Sequence, residues 1–204
     1  MQKMRLVEFM DGVLWFEEVP EDYTEDCLEF SHKDTVILRD RQQFVLIVLN
    51  EGKTKVGCFK DMNNKQLKEA KRIDNSKSGV VFDLISYQPT DCETDCIYND
   101  CLSPVSFVLQ SNSKKYQMSC SKAKTIEFLE MKTSEEDTVD AKQSNIIFYK
   151  RRVSDQYSMF ESMLVQNYYL CTEFENGLYK LGLKEVKTKI DETAQIEVSG
   201  CEAK

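Results

Sequence analysis

Histidine and tryptophan each occur once in these 204 residues, proline three times and glycine seven times. Each scarcity closes off a class of chemistry. The single imidazole, His32 in SHKDT, is the only place a Ser–His–Asp or Cys–His pair could be built, and no nucleophile elbow lies beside it. It reads as a surface histidine, and the chain does not read as an enzyme. The glycines are scattered singly, so no loop of the phosphate-cradling kind exists and no nucleotide cofactor is called for. No apolar run approaches the roughly eighteen residues of a membrane span; the longest is FVLIVL, Phe44 to Leu49, which is strand length. The net charge of −8 argues against nucleic acid as a partner, because phosphate binding needs a cationic surface.

The opening residues MQKMRLVEFMDGVLWFEEVPED carry acidic side chains among the apolar ones and lack the continuous apolar core of a secretory signal. A chain of this kind is expected to be made in the cytosol. Its eight cysteines fit that compartment as free thiols and are also compatible with oxidation after export. Cys92-x3-Cys96-x4-Cys101 has one gap suited to zinc, a second that is loose, and no second pair to complete a tetrahedron, so no metal is expected. Cys120 and Cys171 fall inside apolar runs, where cysteine acts as a small hydrophobe.

What is abundant is period-two alternation. Twelve short runs follow one another: VIL (36–38), FVLIVL (44–49), GCF (57–59), VVFDLISY (80–87), VSFVLQS (105–111), YQMSC (116–120), TIEFLEM (125–131), IIFYKRRV (146–153), YSMFESM (157–163), YYLCTE (168–173), LYKLGLK (178–184) and AQIEV (194–198). Only KQLKEAKR, Lys65 to Arg72, is helical in pattern. Many short strands at this spacing predict an all-β closed barrel or sandwich. Two polar stretches, 87–104 and 132–144, read as long surface loops. A thirteenth candidate strand, LVEFMDGVLWF, precedes an acidic connector, VPEDYTED. The map is therefore an N-terminal hairpin-like piece, an acidic connector and a twelve-strand body, with a threefold repeat too faint to read from residue identity. Two stretches invite a functional reading against a plain one. YTED before Cys27 is either a solvated linker or a protease site, and Lys150-Arg151-Arg152 is either a solvated cluster or a partner-binding face.

The segment SNIIFYKRRVSDQYSMFESMLVQNYYLCTEFENGLYKLGLKE, Ser144 to Glu185, resembles the C-terminal third of cytokines of the interleukin-1 family, with Phe160-x-Ser162 and Tyr169-Leu170-Cys171-Thr172 following the family signature. Gln166 stands where the family usually has proline. VEFMDGVLWFEE (7–18), FKDM (59–62), VVFDLISY (80–87), PVSFVLQ (104–110) and MSCSKAKTIEFLEM (118–131) match as well, and the chain departs at 51–58 and 91–101. The resemblance implies a β-trefoil of about twelve strands, residues 27–204, behind a propeptide of residues 1–26. It implies an inactive cytosolic precursor cut by an inflammatory caspase, with Asp26 at the cut, Tyr23 as the bulky residue three positions before it and Cys27 as the new N-terminus. Asp22, preceded by VPE, is the competing site, with Val19 a poorer anchor.

In the precursor, Val7, Phe9, Val13, Leu14, Trp15 and Phe16 are expected to pack on the body, as an added strand, and mask receptor-binding surface. The implied partners are a two-chain immunoglobulin-type receptor and a soluble binding protein. The implied outcome is interferon-gamma production after secretion by a route that needs no signal peptide; a monomer is expected, with no cofactor. Matching receptor-contact positions are Lys33, Met62, Lys124 and Arg151. Leu38, Gln42, Asn64, Cys101, Leu129 and Asn145 stand where relatives carry charges. An intracellular binding module of the same fold, or a receptor antagonist, are the alternatives.

Overall fold

The computed structural model describes residues 4–10, 13–18, 28–52, 54–71, 78–89, 102–111, 114–131, 138–139, 141–187 and 190–200. The first two strands are β1 (Met4–Met10) and β2 (Val13–Glu18). They pair with each other as a two-stranded sheet, Phe9 opposite Leu14 and Leu6 opposite Phe16. The N-terminal piece is a hairpin, as expected, and among the described residues its ladder runs within itself rather than onto the body as an added strand. Asp11-Gly12 between the two strands is the dipeptide that favours a two-residue hairpin connection.

The body follows as β3 (Leu28–Arg39), β4 (Val45–Glu51), β5 (Thr54–Lys60), helix α1 (Asn64–Ala70), β6 (Ser78–Gly79), β7 (Phe82–Pro89), β8 (Leu102–Ser111), β9 (Lys114–Cys120), β10 (Ile126–Glu130), β11 (Thr138–Val139), β12 (Phe148–Arg152), β13 (Tyr157–Ser162), β14 (Tyr168–Glu175), β15 (Leu178–Glu185) and β16 (Ile196–Gly200). Setting aside the two-residue β6 and β11 leaves twelve strands, one for each apolar run. β3 starts well before VIL: Phe30 to Thr35 are exposed and, Phe30 apart, polar, with no apolar alternation to betray the strand.

Six of the twelve strands close a ring. β3 pairs with β7, β7 with β8, β8 with β12, β12 with β13, β13 with β16, and β16 returns to β3, every pair antiparallel. The other six form three hairpins, β4–β5, β9–β10 and β14–β15, each leaving the ring from the strand before it. Three four-strand units therefore repeat: β3-β4-β5-β7, β8-β9-β10-β12 and β13-β14-β15-β16. Six ring strands capped by three hairpins in threefold order make a β-trefoil, and closure leaves the ring no free edge.

Phe82, Phe107, Phe148 and Phe160 come from four ring strands and are all fully buried. Phe107 meets Phe148 and Phe160 edge-to-face, at 5.8 and 5.1 Å between ring centroids. Burial of a side chain this large is worth about 2–3 kcal/mol. Helix α1 fills the step between β5 and β6, burying Leu67 and Ala70 against Ile37, Val45 and Ile47. Asn63 caps it, its Oδ1 accepting from Gln66 N at 2.9 Å while Gln66 Oε1 accepts from Asn63 N at 2.9 Å.

Candidate functional site

Each hairpin of the cap turns through a left-handed residue. In β4–β5 it is Gly52 (φ 61°), and in β14–β15 Asn176 and Gly177 (φ 52° and 81°). In β9–β10 it is Lys124, at φ 65°. A Cβ is unfavourable there, and glycine is the default residue. The turn is held by Lys124 N donating to Ser121 O and Ser121 N donating to Thr125 O, both 2.9 Å. The lysine ammonium reaches across to the third unit, 2.5 Å from the Tyr168 hydroxyl and 4.1 Å from that ring's centroid. Strain of this kind persists only where the surrounding structure holds it, here the Ser121–Thr125 turn and the contact with Tyr168.

Arg151 lies exposed on β12, opposite Met159 of β13 and Leu102 of β8. Its guanidinium neighbours the Tyr169 hydroxyl, which donates to Glu161 Oε2 at 2.8 Å. Burial, then the Glu161 bond, pushes the Tyr169 phenol up from its ordinary pKa. Arg152 is spent locally on Asp155, at 2.6 Å, so the run 150–152 is not a uniform cationic face. Lys124 and Arg151 thus converge on consecutive residues of β14. Successive strand residues point to opposite faces, so the two cations flank β14 rather than form one patch.

The other two expected contacts lie elsewhere. Lys33 stands on the exposed half of β3, 3.9 Å from the Asp83 carboxylate. Met62 joins β5 to α1 and is partly buried against the Ile37–Val45–Leu67 cluster, so much of its side chain is packing. Among the positions where charges were absent, Leu38 is fully buried within the core and has no surface to offer. Gln42, Asn64 and Leu129 are exposed, and Asn145 Nδ2 donates to Ser119 Oγ at 2.9 Å. Tyr23, Asp26, Cys27 and the loop holding Cys92, Cys96 and Cys101 lie outside the described residues.

One surface feature was not anticipated. At the tip of the β14–β15 hairpin, Phe174 (68% exposed), Leu178 (54%) and Tyr179 (37%) stand in solvent. Tyr179 meets Phe174 at a tilt, 5.0 Å between centroids, and Phe44 edge-on at 5.4 Å, making a continuous aromatic cluster. Exposed aromatics of this density have the chemistry of a binding hot spot. The signal was in FENGLY: Asn176-Gly177 fixes a two-residue turn, which leaves the apolar residues on either side at a tip, beyond the reach of the core.

His32 is exposed, with Ser31 Oγ 3.4 Å from its Nδ1 and Asp34 3.6 Å from its Nε2. Among the described residues no cluster of three or more His, Cys, Asp or Glu is placed to hold a metal, and no helix is long and apolar enough to cross a membrane. Cys58, Cys120 and Cys171 are buried and unpaired, and burial pushes the Cys171 thiol up to about 12.

The ring and its three hairpins define a β-trefoil protein that carries separate cationic and aromatic features on its surface. The crystal structure of chicken interleukin-1 beta has the same fold, with a TM-score of 0.56 at 15% identity, over 85% of this chain and 99% of that one. In sequence, residues 71–195 match the family described as Interleukin-1 / 18. Interleukin-18 of Sus scrofa is 31% identical over 88% of this chain and 84% of its own length. Interleukin-18 of Mus musculus is 31% identical over 87% and 82%, and that of Gallus gallus 28% over 91% and 87%. The chain belongs to the interleukin-1/interleukin-18 cytokine family.

Proposed function

We infer that this chain is the precursor of an interleukin-18-like pro-inflammatory cytokine. An inflammatory caspase cuts after Asp26, and residues 27–204 engage the interleukin-18 receptor alpha chain and its accessory chain to induce interferon-gamma. The interleukin-18-binding protein competes for the same surface. The precursor stays in the cytoplasm, and the cut form leaves by an unconventional route. One observation carries the reading. The first strand of the ring begins at Leu28, which is buried against Tyr87 and Ile147, while among the described residues β1 and β2 pair only with each other. A cut between Asp26 and Cys27 therefore removes no strand of the trefoil and severs the hairpin cleanly. Lys33, Met62, Lys124 and Arg151, with the Phe174 tip, are the proposed receptor contacts, and the hairpin of residues 4–18 masks part of that surface until it is released.

The test is digestion of the 204-residue protein with an inflammatory caspase, followed by mass spectrometry of the fragment and a reporter cell carrying both receptor chains. A stable fragment starting at Cys27, active where the full chain is not and abolished by Asp26→Ala, supports the reading. A cut after Asp22 moves the boundary. Equal activity of full chain and fragment refutes the switch.

A further inference from the structure

Two acidic side chains are buried among the described residues, Asp40 and Asp83. Asp40 serves its own turn, its Oδ1 accepting from Phe44 N at 2.9 Å. Asp83 serves no turn. It is the second residue of β7, 2% exposed, where alternation sends Phe82 and Leu84 into the core and Asp83 to the outer side of the ring. Thr35 lies directly opposite on β3 and Val108 on β8, so Lys33 and Gln110 are its diagonal neighbours on either side. All the polar neighbours converge: Thr35 Oγ1 donates to Oδ1 at 3.3 Å, Gln110 Nε2 donates to Oδ2 at 2.6 Å, and the Lys33 ammonium is 3.9 Å from Oδ2.

A buried ion pair is a poor device for stability, since an apolar residue of similar volume does as well or better. What the carboxylate supplies is a fixed place for a cation. Lysine is a flexible four-carbon stem whose ordering on binding has an entropic cost, and a partner that meets it already anchored avoids most of that cost. Lys33 remains 43% exposed at its side chain, in a strip from Phe30 to Thr35 that is exposed throughout. At 3.9 Å the ammonium is held by charge rather than by a hydrogen bond, so its three donors are left for a partner. The geometry points to Asp83 as a positioning residue for Lys33, holding its ammonium on the outer face of β3 for a carboxylate-bearing protein surface. This rests on the receptor reading given above only for the identity of the partner.

Two readouts separate the inference from that reading. The first needs no receptor: NMR order of the Lys33 side-chain nitrogen in unmodified protein, in Asp83→Asn and in Gln110→Leu. Asp83→Asn is expected to bring Lys33 to the mobility of Lys60, an exposed lysine, while Gln110→Leu, which leaves the carboxylate in place, keeps it ordered. Unchanged Lys33 order in Asp83→Asn overturns the inference, whatever the protein binds. The second is a double-mutant cycle on immobilised receptor alpha ectodomain, using the cut form. Asp83→Asn and Lys33→Met are each expected to weaken binding about fivefold, and the pair no more than Lys33→Met alone, because the two act as one unit. An Asp83→Asn loss that persists in full on the Lys33→Met background means the carboxylate acts on the fold instead, and overturns it. Loss of Lys33 order in Asp83→Asn with no receptor binding by any form upholds the positioning and refutes the receptor reading.

Discussion

Replacing Lys124 tests whether the cap hairpin of the second unit is kept for its side chain at the expense of its backbone. Lys124 holds φ 65° where the hairpins of the first and third units use Gly52 and Gly177. A left-handed L-residue costs about 1–2 kcal/mol relative to its favoured conformations. Glycine relieves that strain but adds freedom to the unfolded chain, which takes back about 0.4–1 kcal/mol. Alanine keeps the strain. Both substitutions lose the same bond to the Tyr168 hydroxyl and the same ring contact, worth about 0.5–1 kcal/mol at an exposed site. The difference between the two variants therefore isolates the backbone: Lys124→Gly is expected to be about 1 kcal/mol more stable than Lys124→Ala, or about 2–4 °C in Tm for a chain of this length. Binding should not follow stability: both variants should be equally impaired on the receptor ectodomains. Urea denaturation and surface plasmon resonance on the cut form give the two numbers. Alanine as stable as glycine would refute the strain argument, and receptor affinity unchanged in either variant would refute the functional one.

Phe174→Ser should weaken receptor binding about tenfold, as for a hot-spot aromatic, while changing stability by less than about 0.5 kcal/mol because the ring is largely in water; calorimetry beside the binding assay checks both. Asp40 has its pKa raised from 3.8, first by burial, and its Oδ2 lacks a hydrogen-bond partner among the described residues. The folded state therefore holds that proton more tightly than the unfolded chain. Stability falls as pH rises from 3.8 through the raised value, so the unmodified protein should gain on Asp40→Asn as pH is lowered through that window in denaturant titrations. Brief iodoacetamide treatment of the native protein at pH 8 should leave Cys58, Cys120 and Cys171 unmodified by peptide mapping, since all three are buried with thiols pushed up by that burial.

Strand positions were legible because a half-buried strand must alternate, and every apolar run became a strand. The helix was legible from its spacing, although the cap at Asn63 starts it one residue earlier than the pattern did. Ring closure was not legible. Pairings such as Phe148 with Val105, or Ser199 with Ile37, join residues far apart in sequence, and nothing local specifies them. Residues 30–35 of β3 escaped because they face water on both sides of the alternation. The threefold repeat was invisible in residue identity and plain in backbone, with left-handed turns at Gly52, Lys124 and Asn176-Gly177 recurring in the same place. Of the expected contact residues, Lys124 and Arg151 stand beside one strand, whereas Lys33 and Met62 were grouped with them by resemblance and lie elsewhere on the fold.

A threefold scaffold presents three similar faces, and a receptor that needs one orientation must be able to tell them apart. The units agree wherever the ring requires it, and they differ in what projects from it. The first unit inserts α1 after its hairpin and exposes the β3 strip with Lys33. The second puts a strained lysine where glycine would fold better. The third carries Phe174, Leu178 and Tyr179 at its tip. None of these departures is needed to close the ring, and those at Lys124 and Phe174 run against local stability or solubility. Features that a fold does not need, and that burden it, are where function is expected to be written. On that argument the symmetry-breaking positions are better candidates for receptor contacts than any position chosen by correspondence alone, whereas a position such as Leu38, fully inside the core, has no surface to offer.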